Sequence, residues 1–354
     1  MATNSTMNEA LYATLTESIP GFLISDFLKC QRLPSLPSVA LRILQLIQSS
    51  TATINDFSGS IEHDPALTAR LIALSNSVHH TRSAIPALTC IEAIQRLGLD
   101  ATLTAVLSFN LFQHSHPGAH HTYIWQRSIM SALMARQLAE QACPDQAGSA
   151  FTTALLQDIG ILALSATYPE QANELYANKA LPHHQLIKEE QRYFGCDHAV
   201  IGAWLAAKWG IPSSMVNTIH CSHARYTNST LRELCVRISG PMADACLSSA
   251  PEEPLAALLH DLTTTVGMPS FSLENVLEDV QPKMAIIAKA LNMEAPATVD
   301  SKALLDNAQQ LLLDHTLMLN SRRESKYNKE LRILRKMYAM PGRDSDDSPS
   351  SAKT

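Results

Sequence analysis

Apolar residues recur every three or four positions along almost the whole chain, and no stretch of strand length alternates apolar with polar. A 3.6-residue period lays one apolar face along a helix, whereas a half-buried strand needs a period of two. The expected fold class is therefore all-α. The punctuation agrees. In EHDPALTARLIALSNS, Asp64 stands as N-cap and Pro65 at the first helical position, where its missing amide removes no bond. Thr89 and Glu92 read as a capping box, Gly98 as the stop that follows, and Asp100 as the start of a helix through Phe112. Further helices are expected from LPSVALRILQLIQ, over about 125–142, over about 149–164, and over 231–248, 254–265 and 272–292. Asp197 is expected to cap a helix ended by Gly210, and Ser213 after Pro212 to cap the next.

Composition narrows the class further. Of 354 residues, 46% are hydrophobic and 17% charged, which is ample for a buried core. A net charge of −6 supplies no global attraction to nucleic acid or an anionic membrane. The seven cysteines are an odd number and include no C-x-x-C pair, so they read as reduced thiols and not as disulfides or a zinc knuckle. The N-terminal MATNSTMNEALYATL has no basic segment leading into an apolar one, and no uninterrupted apolar run reaches the roughly 20 residues of a membrane span. A cytoplasmic protein without a membrane span is expected.

Several segments, in order, resemble an HDOD domain: LPSLPSVALRILQLI, IEHDPALTARLIALSNS, AIQRLGLDAT, IWQRSIMSALMARQLA, ALLQDIGIL and GCDHAVIGAWLAAKWGIP. HDOD domains are bacterial signalling relatives of the HD metal-dependent phosphohydrolases. The resemblance implies a two-lobed helical bundle over residues 20–230, with lobes at about 20–113 and 122–230 separated by the polar loop QHSHPGAHHTY. Around it are expected an N-terminal segment 1–19, a helical extension 231–293, a linker at 294–300, a long, locally basic helix 301–338 and, by composition, a disordered tail 339–354.

The resemblance also locates a catalytic site that is half missing. HD phosphohydrolases hold divalent metal with a His on one helix, a His-Asp pair on the next, and later histidines, because converging imidazoles and carboxylates are needed to keep an ion that activates water. Carried over residue by residue, the first His falls on Arg127 and the His-Asp pair on Gln157 and Asp158. The next His is present as His198, and a later His-His pair falls on Ser222 and His223. A guanidinium does not deprotonate and cannot ligate a metal. Arg127 is expected to fill the vacated place and pair with Asp158; the alternative has Arg127 in solvent and Asp158 capping a turn. His198 and His223 read first as core or cap histidines and second as a remnant site. No cofactor and no metal are expected.

Other signals read more simply. His260-Asp261 in LAALLHDLTTTVG is a literal HD pair without partner histidines nearby, and fits the polar side of an amphipathic helix. His114, His116, His120 and His121, and the pair His79-His80, suit solvated loops and helix ends. In the terminal helix Arg322, Arg323, Lys326, Lys329, Arg332, Arg335 and Lys336 outnumber Glu324 and Glu330. That excess is a solvated face or an anion-binding one. The apolar side, Tyr327, Leu331, Leu334 and Tyr338, offers a seam for packing or for a homodimer.

Together these features imply a non-enzymatic signalling scaffold that binds other regulatory proteins. Resemblance to the family suggests motility, biofilm or cyclic-di-GMP pathways. With no output domain after the terminal helix, output is expected through that helix or a separate enzyme such as a diguanylate cyclase. A remaining metal-dependent phosphohydrolase or nucleotide-binding activity through Asp158, His198 and His223 is the first alternative. Nucleic-acid binding through residues 322–336 is the second.

Overall fold

The computed structural model describes residues 4–34, 36, 38–49, 51–78, 86–111, 119–176, 183–224, 229–265, 272–291, 294–314 and 316. Among these residues there are helices and no strands. In chain order they are α1 (Asn4–Ser18), α2 (Gly21–Lys29), α3 (Ser38–Ile47), α4 (Ile54–Glu62), α5 (Pro65–Val78), α6 (Cys90–Leu97), α7 (Leu99–Leu111) and α8 (Ala119–Ala142). There follow α9 (Ala147–Leu156), α10 (Ile159–Thr167), α11 (Pro169–Tyr176), α12 (His183–Phe194), α13 (His198–Lys208), α14 (Ser213–His220), α15 (Leu231–Leu247), α16 (Glu252–Thr265) and α17 (Leu273–Ala290). Residues 301–314 are also helical.

The caps explain most of the boundaries. Asp64 Oδ1 accepts from the amides of Ala66 and Leu67 at the start of α5, each at 3.0 Å. Thr89 and Glu92 form the reciprocal box of α6, and Thr230 with Glu233 does the same for α15. Asp197 caps α13, accepting from Ala199 at 3.0 Å and Val200 at 3.3 Å. Gly210, with φ of 74°, turns the chain out of α13 in the left-handed region that glycine tolerates. Ser213 differs from expectation: Pro212 is the cap residue of α14, without a side-chain bond, and Ser213 is already helical.

Two packing systems meet along α8 and α9. Helices α3 to α7 pack on one another, and α3 and α7 reach α9. On the other side α8 runs against α9, α15 and α17, while α10 packs on α13. The N-terminal segment is fastened to this second system: Trp204 of α13 is fully buried, stacks with Tyr12 at 5.9 Å, and donates from Nε1 to Thr16 Oγ1 at 3.1 Å. Helix α15 begins where an extension was expected after residue 230, yet it packs directly into the α8–α9 layer.

The helix expected over 149–164 is two helices. The apolar period runs on, but the helix is interrupted by a turn at Gln157 and Asp158, after which α10 packs on α13. Pro144–Thr167, the one described stretch long and apolar enough to cross a membrane, is interrupted by this turn and 89% buried inside the protein. That is the position of a core element. Gly160 lets α10 approach α13: a Cβ there would stand 2.0 Å from the His198 carbonyl oxygen and 2.9 Å from the Gly202 nitrogen. Gly202 faces it, with the Gly160 nitrogen 3.2 Å from its own would-be Cβ. Of the helix expected over 301–338, only residues 301–314 and 316 are described, so the basic positions 322–336 and the tail lie outside the described residues.

These distances give opposite expectations for two glycines. Gly160→Ala must push backbone away and is expected to destabilise by about 3 kcal/mol or more, the upper range for overpacking. Gly59→Ala, in the interior of α4 with nothing within 4 Å of the new methyl, is expected to stabilise by about 0.5–1 kcal/mol. Urea unfolding of the two variants checks both signs.

Candidate functional site

The turn between α9 and α10 places Asp158 at the N-cap position of α10, but its side chain does not cap the helix. Instead Asp158 Oδ2 accepts from Nη1 of Arg127 on α8. Asp244 on α15 grips the other edge of the same guanidinium: Nε donates to its Oδ1 at 2.7 Å and Nη2 to its Oδ2 at 3.2 Å. Arg127 and Asp158 have side-chain exposures of 5% and 2%, while Asp244 at 16% is the carboxylate closest to solvent. Gly240, one turn before Asp244, makes room for the arginine, since a Cβ there would meet Nη2 at 3.0 Å. Tyr123, one turn before Arg127, donates to Asp244 Oδ1 at 3.3 Å.

The charges are mutually dependent. Burial alone would drive Arg127 towards its neutral form, but Asp158 and Asp244 hold it charged more firmly than free arginine. Burial would likewise raise Asp158, and Arg127 and His198 outweigh it and hold the carboxyl well below the usual range. For Tyr123, burial and the Asp244 charge act together and push the phenol up.

A second cluster adjoins the first. His198 opens α13 and is fully buried. Its backbone amide donates to Glu190 Oε2 at 2.9 Å, and its Nδ1 lies 2.7 Å from the same oxygen. Glu190, from α12, is also fully buried and accepts from the Tyr176 hydroxyl at 2.8 Å. The Nε2 of His198 points the other way, 3.5 Å from Asp158 Oδ1, and makes no hydrogen bond among the described residues. Burial lowers the affinity of this imidazole for a proton, but Glu190 and Asp158 on its two sides prevail and lift its pKa to about 10. His223, in the turn after α14, has Nδ1 3.5 Å from Asp197 Oδ1 and Nε2 3.2 Å from His183 Nε2. Burial and the neighbouring His198 push His223 down.

Of the residues singled out in the sequence, Arg127, Asp158, His198 and His223 thus come together. Gln157 is buried beside them, its Nε2 without a hydrogen bond among the described residues and 3.6 Å from where a Gly240 Cβ would stand. Ser222 Oγ is buried and likewise unbonded. His260 and Asp261 are exposed on α16, away from the cluster. His79, His80, His114 and His116 lie outside the described residues, and the side chains of His120 and His121 do too. The sequence reading missed Asp244, Glu190, Tyr176, Tyr123 and His183. Asp244 stands as a single carboxylate among apolar residues in GPMADACL, which is the one local signal that could have found it. Glu190 and His183 sit in the charged run HHQLIKEEQRYF, where nothing separates an inward side chain from a solvated one.

Comparison with known proteins bears on the fold and the family. The HDOD domain family model matches residues 33–225. An uncharacterized protein of Treponema pallidum (strain Nichols) is 29% identical over 199 residues, which is 54% of this chain and only 37% of that protein. Among solved structures, an HDOD domain protein of unknown function from Geobacter sulfurreducens superposes with a TM-score of 0.50 at 20% identity, covering 87% of this chain and 96% of that one. A provisionally named phosphohydrolase from Shewanella amazonensis SB2B superposes with a TM-score of 0.53 at 23% identity, covering 77% and 97%. At these identities the structures speak for the fold alone.

Two expectations follow from the charge network. Arg127→Met leaves Asp158 buried with one partner fewer and is expected to cost about 3–5 kcal/mol, the range for breaking a buried ion pair from one side; urea denaturation measures it. The raised pKa of His198 stabilises the folded state fully below the ordinary imidazole value of about 6.5, and that contribution is lost as pH rises through about 10. The stability difference between chelator-treated wild type and His198→Gln should therefore shrink steadily from neutral pH to about pH 10.

Proposed function

The chain belongs to the HDOD family, and from that premise we propose that it is a signalling-related, HD-like regulator that recognises partner proteins and does not turn over a substrate. The observation that carries this reading is the guanidinium of Arg127 bound between Asp158 and Asp244. An HD phosphohydrolase would need an imidazole at 127 and another at 157. Here a permanent cation occupies the first place and a neutral amide the second, and the one inherited carboxylate has an oxygen committed to the arginine. These residues do not fit a metal held in the HD manner, because the cation repels it and too few donors remain. The inherited chemistry is therefore not run through this site.

The same pairing suits a scaffold. A guanidinium that bridges α8, α15 and the α9–α10 turn joins three elements at one buried point, so the helices keep a fixed arrangement for a partner to read. The partner is expected to be another signalling protein, with a separate output enzyme such as a diguanylate cyclase among the candidates. The C-terminal region beyond residue 300 is the natural contact, as an interaction helix or a homodimer seam.

The reading makes two measurable demands. Purified protein with magnesium or manganese should show no turnover of phosphodiesters or nucleotides above buffer; turnover abolished by Asp158→Ala would overturn it. Affinity capture from the native host should retain defined partners with the full chain and lose them with a chain ending at Asp300. Equal capture by both would remove the terminal region from the proposal.

A further inference from the structure

His183, His198 and His223 come from three separate elements, the starts of α12 and α13 and the turn after α14. One ligand nitrogen from each lies within 4.8 Å of the others. The rings meet edge to face, with centroids 4.5 Å apart for His198 and His223, 5.0 Å for His183 and His223, and 5.2 Å for His183 and His198. We infer that these three imidazoles form a transition-metal site, for which zinc is the fitting ion; it keeps His198 and His223 from the HD positions and adds His183, which the HD pattern does not supply, beside the place that Arg127 fills.

Orientation supports this. Glu190 holds the Nδ1 side of His198, and Asp197 faces the Nδ1 side of His223. A carboxylate bonded behind an imidazole, as Glu190 is behind His198, fixes tautomer and ring angle in histidine metal sites and leaves Nε2 as the donor. His198 Nε2 is buried and without a hydrogen bond among the described residues. Nitrogens 2.0–2.1 Å from a tetrahedral zinc are separated by roughly 3.3–3.4 Å. The His183 and His223 Nε2 atoms already stand 3.2 Å apart. His198 needs a shift of about an ångström to complete the face, with Asp158 Oδ1, 3.5 Å from its Nε2, as a nearby fourth oxygen.

Charge supports it independently. Arg127 and the protonable His198 face four carboxylates in these two clusters, Asp158, Asp244, Glu190 and Asp197, so acidic groups are in excess. A dication relieves that excess where a neutral ligand does not. The donor set of three imidazoles favours zinc and its first-row neighbours over magnesium or calcium. Bound zinc would tie α12, α13 and the α14 turn together, making their arrangement respond to metal supply.

The test uses the full chain, stripped with a chelator and titrated with zinc sulfate in a calorimeter, with elemental analysis of the product. One tightly held equivalent and a rise in Tm are expected, and cobalt(II) in place of zinc should give the intense visible bands of a tetrahedral site. His183→Ala and His223→Ala should each weaken binding at least tenfold and abolish the bands. A variant with His114, His116, His120 and His121 all changed to Ala should bind as wild type. Absence of a bound equivalent, octahedral-type cobalt spectra, binding indifferent to His183→Ala and His223→Ala, or binding lost with the loop histidines would each overturn the inference. Phosphodiester turnover by the zinc-loaded protein would instead sink the non-catalytic reading and leave the site standing, so the two proposals fail separately.

Discussion

One guanidinium, placed where two helices and a turn converge, sets the terms for the interior of this protein. Arg127 cannot shed its charge, so every group near it must accommodate a cation. Asp158 and Asp244 do so from opposite edges, and Gly240 gives up its side chain to leave space. Such a buried cluster is not a large source of stability, because removing three charges from water offsets most of their attraction. What it supplies is definition. In the observed arrangement of α8, α15 and the α9–α10 turn all three groups are paired.

The same logic extends to His198, which connects the two clusters. It sits between Glu190 and Asp158, and so shares one carboxylate with the arginine. A change in the protonation or ligation of that imidazole is therefore felt by Asp158, and through it by Arg127. Electrostatic coupling of this kind needs no movement of backbone. It requires only that the groups stay dry, which their near-complete burial provides.

Much of the fold was readable in the sequence because its signals are local. Caps such as Asp64, Thr89 with Glu92, and Asp197 act within three residues of where they stand, and the helical period needs only a turn or two to declare itself. The break at Gln157–Asp158 was not readable, since nothing in the local apolar pattern distinguishes a straight helix from two. The carboxylate at that turn finds its partner in an arginine 31 positions away. The site divides in the same way. Positions carried over from the family resemblance led to Arg127, Asp158, His198 and His223. Asp244, Glu190 and His183 are joined to them only by tertiary packing, and each lies in a segment whose own composition has an ordinary solvated or amphipathic explanation.

Asp244 lies beyond residue 225, where the segment matched by the HDOD family model ends, yet it supplies half of the arginine's counter-charge. The electrostatic unit around Arg127 thus extends beyond the segment that the family model delimits. A fragment trimmed to the recognisable segment would leave Arg127 with Asp158 as its one carboxylate and an open flank where α15 had been. To keep both counter-charges of Arg127, a piece cut from this chain must include α15.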